Sequence, residues 1–258
     1  MLKARQKLGK YRIEKRLAHG PLAAVYRAYD TIHGLRVALK IPHRRMMDEY
    51  FLSDFRREVR LCTRLNHPNI LPIQNADFIG SYFVIAMPLG DEALGDRLAR
   101  RISTAKALAY TEQILAGVAH AHERRIIHCD IKPDNFILFG DDWLRLTDFG
   151  FAKMGRKRLD ASGSGTIGYI APEQAVGRPM YQSDVFSVGL VLYRMFTGKL
   201  PRWPYDWPPE GHRRLAQKLA PSLVRLIRRA IEVDPRERFA DAAEMYDAFR
   251  RIRRRTAA

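Results

Sequence analysis

The rhythm of polar and apolar positions changes once along the chain. Up to about residue 85 the apolar residues fall in short runs rich in Val, Ile and aromatics, the pattern of strands. Residues 11–17, 24–28, 35–41 and 81–86 are such runs. One helix is expected among them, over about 53–65, with Ser53 as N-cap and Asp54 at its positive end. The turn His67-Pro68-Asn69 closes it. After Gly90 the spacing becomes helical. Residues 103–125 carry Ala107, Leu108, Ile114, Leu115, Val118 and Ala121 on one stripe. Residues 184–197 and 222–233 read as further helices, the first stopped by Gly198. The pattern predicts a β-rich lobe, a short connection at Met87-Pro88-Leu89-Gly90 and an α-rich lobe. A crevice between lobes is a preferred place for a ligand.

Composition narrows the picture. Of 258 residues, 47% are hydrophobic and 28% charged, which suits a packed core and excludes a disordered chain. No run approaches the roughly 18 apolar residues of a membrane span. The longest, 185–193, is broken by Ser187 and Gly189. The basic start has no apolar core of a secretory signal. Two cysteines, Cys62 and Cys129, give no disulfide framework, so a reducing cytoplasm is expected. His120 and His122 lie two apart on a helix, do not share a face, and read as packing or surface residues rather than metal ligands. The net charge is +17, and 34 of the 45 basic residues are Arg. A solvated basic surface accounts for this, and no nucleic-acid partner is required.

The chemistry sits in four motifs in one order. Val37-Ala38-Leu39-Lys40 lies on a strand, and Glu58 on the helix that follows. His128-Cys129-Asp130-Ile131-Lys132-Pro133-Asp134-Asn135 comes next, then Asp148-Phe149-Gly150 and Ala171-Pro172-Glu173. This ordered set resembles the signature of the eukaryotic-like Ser/Thr protein kinases of bacterial type, over residues 8–249.

The resemblance implies an α+β, bilobal protein kinase-like fold, with a β-rich N-terminal lobe and an α-helical C-terminal lobe. It implies a kinase domain over 8–252 (N-lobe 8–86, hinge 87–91, C-lobe 92–252) and a short basic tail over 253–258. The implied activity is transfer of the γ-phosphate of ATP to Ser/Thr hydroxyls of a protein substrate, with ATP and Mg²⁺ as cofactors. Phosphoryl transfer needs positioned charge more than covalent chemistry. Lys40 is expected to hold the α- and β-phosphates, paired with Glu58. Read alone, Glu58 is equally a solvated carboxylate beside Arg56, Arg57 and Arg60; the match of residues 55–70 to the family's helix pattern gives it the pairing role. Asp130 would accept the substrate hydroxyl proton and Lys132 would steady the transferred phosphate. Asn135 and Asp148 would supply the hard oxygen ligands Mg²⁺ prefers. Leu17, Ala18, Gly20, Val25, Ala38, Lys40, Ala86, Met87 and Ile137 would line the nucleotide site. Three matches are structural: Glu173 paired with Arg238, Asp184 bracing the catalytic loop backbone, and Thr166 beside the catalytic aspartate.

The chain also departs from the family pattern. Its glycine loop, Ala18-His19-Gly20-Pro21-Leu22-Ala23-Ala24-Val25, keeps one of three glycines, and Pro21 has no N–H to offer. With Ile85 as gatekeeper, Pro88 falls where a backbone N–H normally meets adenine, leaving the Ala86 carbonyl. Cys129 replaces the arginine that usually meets a phosphate on the activation segment. That segment carries Ser162 and Ser164, the phosphorylation candidates, with Arg156, Lys157 and Arg158 nearby, and its phosphorylation is expected to be dispensable. These departures favour an alternative, a pseudokinase or weakly active kinase acting as a signalling scaffold. A small-molecule phosphotransferase ranks lower, because those enzymes lack the Ala-Pro-Glu element. The sequence names neither the protein substrate nor the oligomeric state.

Overall fold

The computed structural model describes residues 2–43, 53, 56, 59–149 and 167–257. The chain forms two compact units, 1–66 with 71–91 and 67–70 with 92–258.

The first unit is an antiparallel sheet of six strands: β1 (Lys7–Leu8), β2 (Tyr11–His19), β3 (Ala23–Asp30), β4 (Leu35–Pro42), β5 (Asn75–Ile79) and β6 (Tyr82–Pro88), in the order β1-β2-β3-β4-β6-β5. Successive side chains on a strand point to opposite faces. One face packs as a core of Tyr11, Ile13, Tyr26, Ala28, Val37, Leu39, Ile41, Val84 and Ala86. The same alternation sends Ala38 and Lys40 to the other face. The turn between β3 and β4 is held by Asp30, which accepts from the Ile32 and His33 amides and pairs with Lys10 at 2.8 Å. Of the helix expected over 53–65, residues 53, 56 and 59–62 are helical, 63–65 are not, and 54, 55, 57 and Glu58 lie outside the described residues.

The second unit holds a sheet of β7 (Glu92–Ala93), β8 (Phe136–Phe139) and β9 (Trp143–Leu146), in that order. Its helices are α1 (Leu94–Arg97), α2 (Thr104–Glu123), α3 (Pro172–Ala175), α4 (Tyr181–Thr197), α5 (His212–Lys218), α6 (Pro221–Ala230) and α7 (Ala242–Ala257). Ser103 caps α2 by accepting from the Lys106 amide. Helix α4 is buried nearly all round, from Ser183 to Tyr193, which marks a central core helix. That explains the long apolar run at 185–193, and among the described residues no helix is long and apolar enough to cross a membrane. Gly198 ends α4 in the left-handed conformation, with φ of 76°.

Helix α4 reaches the end of α6 because Gly189 has no side chain. A Cβ built there would lie 2.7 Å from Ile231 Cγ2 and 2.9 Å from Ala230 Cβ. Gly189→Ala is therefore expected to cost about 1–3 kcal/mol despite its better helix propensity. A denaturation midpoint at or above that of the wild type would contradict this packing.

Candidate active site

In the first unit, strand register collects the residues expected at the nucleotide site. Lys40 pairs with Val25 of β3 and Ile85 of β6, and Ala38 pairs with Met87. Ala18 pairs with Val25 across β2 and β3. Cross-strand partners share a face, so Ala18, Val25, Ala38, Lys40, Ile85 and Met87 lie on the face opposite the core. Lys40 is buried. Leu17 is exposed, at the register shift between Arg16 and Ala18. Ala86 points its side chain into the opposite core, so only its backbone could meet a ligand, and its carbonyl already accepts the Gln74 amide at 2.8 Å. Pro88 ends β6 opposite Val37.

The second unit builds its site around Asp184, a fully buried carboxylate near the start of α4. Its Oδ2 accepts the His128 amide at 2.6 Å and its Oδ1 the Cys129 amide at 2.8 Å. Oδ2 also faces His122 Nε2 at 3.0 Å. His122 Nδ1 accepts the Ala242 amide, which leaves Nε2 as the donor to Asp184. The brace expected of Asp184 is thus present, and it is tied to α2 and α7 through a histidine. Position 122 lies four residues beyond Val118, on the buried stripe of α2, and that placement was the signal available in the sequence.

This brace shapes the loop that follows. Cys129 takes a φ of 63°, an uncommon conformation for a residue with a side chain. Its amide is held by Asp184, and its carbonyl accepts Gln174 Nε2 at 2.5 Å. His128 Nδ1 accepts the Asp130 amide, so Nε2 donates to the Thr147 carbonyl at 2.8 Å. The loop then presents Asp130, whose two carboxylate oxygens meet Lys132 Nζ at 3.1 and 2.8 Å. Asn135 Nδ2 donates to the Asp130 carbonyl at 2.7 Å and to Oδ2 at 2.9 Å. The Thr147 amide donates to the Asn135 carbonyl, which sets Asp148 beside the loop, at a φ of 67°.

Asp130, Lys132, Asn135 and Asp148 are therefore gathered by one hydrogen-bonded frame. Ile137 follows on β8, paired with Ala93 and Arg145. Because the Asn135 amide nitrogen is committed to Asp130, its oxygen is left as the acceptor. That oxygen and the Asp148 carboxylate are hard oxygen donors of the kind that suits Mg²⁺ bound largely by phosphate and water. Among the described residues no cluster of three or more His, Cys, Asp or Glu could hold a metal by itself.

Behind the loop, the expected Glu173–Arg238 pair is buried and bidentate, at 2.8 and 3.1 Å. Gln174, Thr147 and His122 were not anticipated from the sequence. Glu58, Gly150, Arg156–Arg158, Ser162, Ser164 and Thr166 lie outside the described residues.

The family model of the protein kinase domain matches residues 11–247. A probable serine/threonine-protein kinase of Clostridium acetobutylicum is 31% identical over 95% of this chain and 40% of its own length. Serine/threonine-protein kinase PknA of Mycobacterium tuberculosis is 32% identical over 95% of this chain and 62% of its own length. The crystal structure of the Mycobacterium tuberculosis PknI kinase domain shares the fold, with a TM-score of 0.73 and 24% identity over 97% of this chain and 99% of that one. The chain spans less than half the length of several curated relatives, 40%, 48% and 49% of three of them. With the motifs in order and the loop assembled around Asp184, the chain belongs to the protein kinase domain family, among its bacterial serine/threonine members.

Proposed function

We propose that this domain transfers the γ-phosphate of ATP to Ser or Thr hydroxyls of a protein substrate. The observation that carries the reading is the ordered loop in which Asp130 is bonded to both Lys132 and Asn135. Asp130 accepts the hydroxyl proton, since Oδ1 meets Lys132 at 3.1 Å and keeps further acceptor capacity. Lys132 sits where it can steady negative charge on the moving phosphoryl group. Lys40 holds the phosphates on the face it shares with Val25 and Met87, and Glu58 pairs with it. Bound Mg²⁺ would neutralise charge on the phosphate oxygens, held by Asn135 and Asp148. Two free cysteines suit a reducing compartment such as the cytoplasm. Transfer of labelled phosphate to a generic protein, but not to an aminoglycoside, tests the reading.

A second reading, a scaffold with weak or no activity, draws on the nucleotide-binding face. Pro21 and Pro88 each lack an N–H, and the Ala86 carbonyl already serves Gln74. Each missing net hydrogen bond is worth about 0.5–1.5 kcal/mol. Calorimetry with Mg²⁺ should accordingly find ATP and GTP within about tenfold of each other in affinity. Strongly adenine-selective, tight binding would overturn this account of the hinge; no binding of either nucleotide would favour the scaffold.

A further inference from the structure

The hairpin tip between β2 and β3 is held by a residue that no motif points to. Gly20 and Ala23 close it through the Gly20 amide and the Ala23 carbonyl at 2.9 Å. The Gly20 carbonyl accepts His43 Nε2 at 2.8 Å. The amide of His43 also donates to the Leu22 carbonyl at 2.9 Å. The His43 ring packs on that of His19, with centroids 4.7 Å apart. One side chain thus grips both the end of β2 and the tip.

The sequence gives that grip a purpose. Glycines usually let such a loop approach phosphate closely and settle around it. Here Ala18 and Ala23 stand in their places, and Pro21 fixes its own φ. A loop with less freedom to adapt must be set in position beforehand. His43 lies just beyond β4, three residues after Lys40, and Val25 and Ala23 of the hairpin pair with Lys40 and Pro42. The tip and the Lys40 amine are therefore referenced to the same strand.

We propose that His43 is a positioning residue whose Nε2–H latches the degenerate phosphate-covering hairpin at Gly20 in its nucleotide-binding conformation. The proposal rests on the kinase reading above. Phe keeps a ring against His19 but has no donor, whereas Gln places an amide N–H at a reach similar to Nε2. In His43→Phe, amides of residues 18–24 should exchange hydrogen faster. The KM and Kd for Mg–ATP should rise about threefold to tenfold, with kcat within about twofold. His43→Gln should restore both exchange and KM. Should His43→Phe not fold, His43→Asn repeats the test, because its amide is too short to reach Gly20. Unchanged exchange and KM in a folded variant without the donor would overturn the latch. So would a fall in kcat alone, or a Gln variant as impaired as Phe. A wild-type domain that binds no Mg–ATP would overturn the kinase reading, and the latch's role with it. Normal wild-type binding with an unaffected Phe variant overturns the latch only.

Discussion

Replacing Asp130 by Ala is expected to slow single-turnover phosphate transfer about 10²–10⁴-fold, with Mg–ATP affinity and the fold little changed. The side chain is 35% exposed, so its loss opens no core cavity. Lys132, at 21% exposure, can turn to water when its partner goes, and Asn135 keeps the Asp130 carbonyl as an acceptor. In the proposed mechanism, what disappears is the acceptor for the hydroxyl proton. Rapid-quench transfer with enzyme in excess measures the chemical step directly. A rate within a few-fold of wild type would assign the proton to another group. Lys40→Ala should also abolish useful transfer, but through nucleotide placement, so its defect should show in both KM and kcat.

Arg238→Ala is expected to cost about 3–5 kcal/mol of stability at neutral pH, a large share of what holds a domain of this size together. The Arg238 side chain is wholly buried and spends all five N–H donors, on Glu173 and on the carbonyls of Gln182, Glu232 and Val233. Its guanidinium also lies 4.6 Å from the Phe186 ring centroid. Removing it leaves Glu173 with the Ser183 hydroxyl at 2.6 Å and three backbone carbonyls without this donor. The effect has a pH signature. Burial pushes the Glu173 carboxyl up, but Arg238 and Ser183 outweigh burial and hold it below its ordinary value of 4.5. In wild type, that lowered carboxyl contributes fully above the unfolded value, and the contribution is lost as pH falls below it. Without Arg238, burial dominates and Glu173 takes up its proton at higher pH than in wild type. The stability gap between the two proteins should therefore narrow as the pH is lowered from 7 toward 4. Chemical denaturation across that range checks it; a constant gap would mean that the arginine acts through packing alone.

How much was legible in the sequence depended on whether a residue works through its type or its place. Strand runs at 11–17, 24–28, 35–41 and 81–86 correspond to β2, β3, β4 and β6, because alternation and β-branched residues announce them. The expected helix at 103–125 is Thr104–Glu123 and that at 222–233 is Pro221–Ala230. Helix α4 starts three residues earlier than the expected 184, at Tyr181, with Ser183 bonding back to the Met180 amide. Strands β7, β8 and β9 have two to four residues and gain their pairing from tertiary context, so no period could reveal them. Helix α7 was missed because its buried Ala242, Met245 and Phe249 are few, spaced between the acidic residues Asp241, Glu244 and Asp247 and followed by an arginine-rich end. The motif residues stood out because their order and spacing match the signature of the protein kinase family. His122 and Thr147 act through two hydrogen bonds each and Gln174 through one, all to partners distant in sequence, and sequence distance hides such partners.

The same distinction explains why cysteine is admissible beside Asp130. What the loop takes from position 129 is chiefly its peptide: the N–H goes to Asp184 and the C=O to Gln174, while the thiol adds a long contact of 3.7 Å to the Ile127 carbonyl. The bend there is dictated from helix α4 and held from helix α3. The identity of the side chain is thereby uncoupled from the shape of the loop. A loop shaped in this way accepts a small, uncharged residue at position 129 without losing the geometry that presents Asp130.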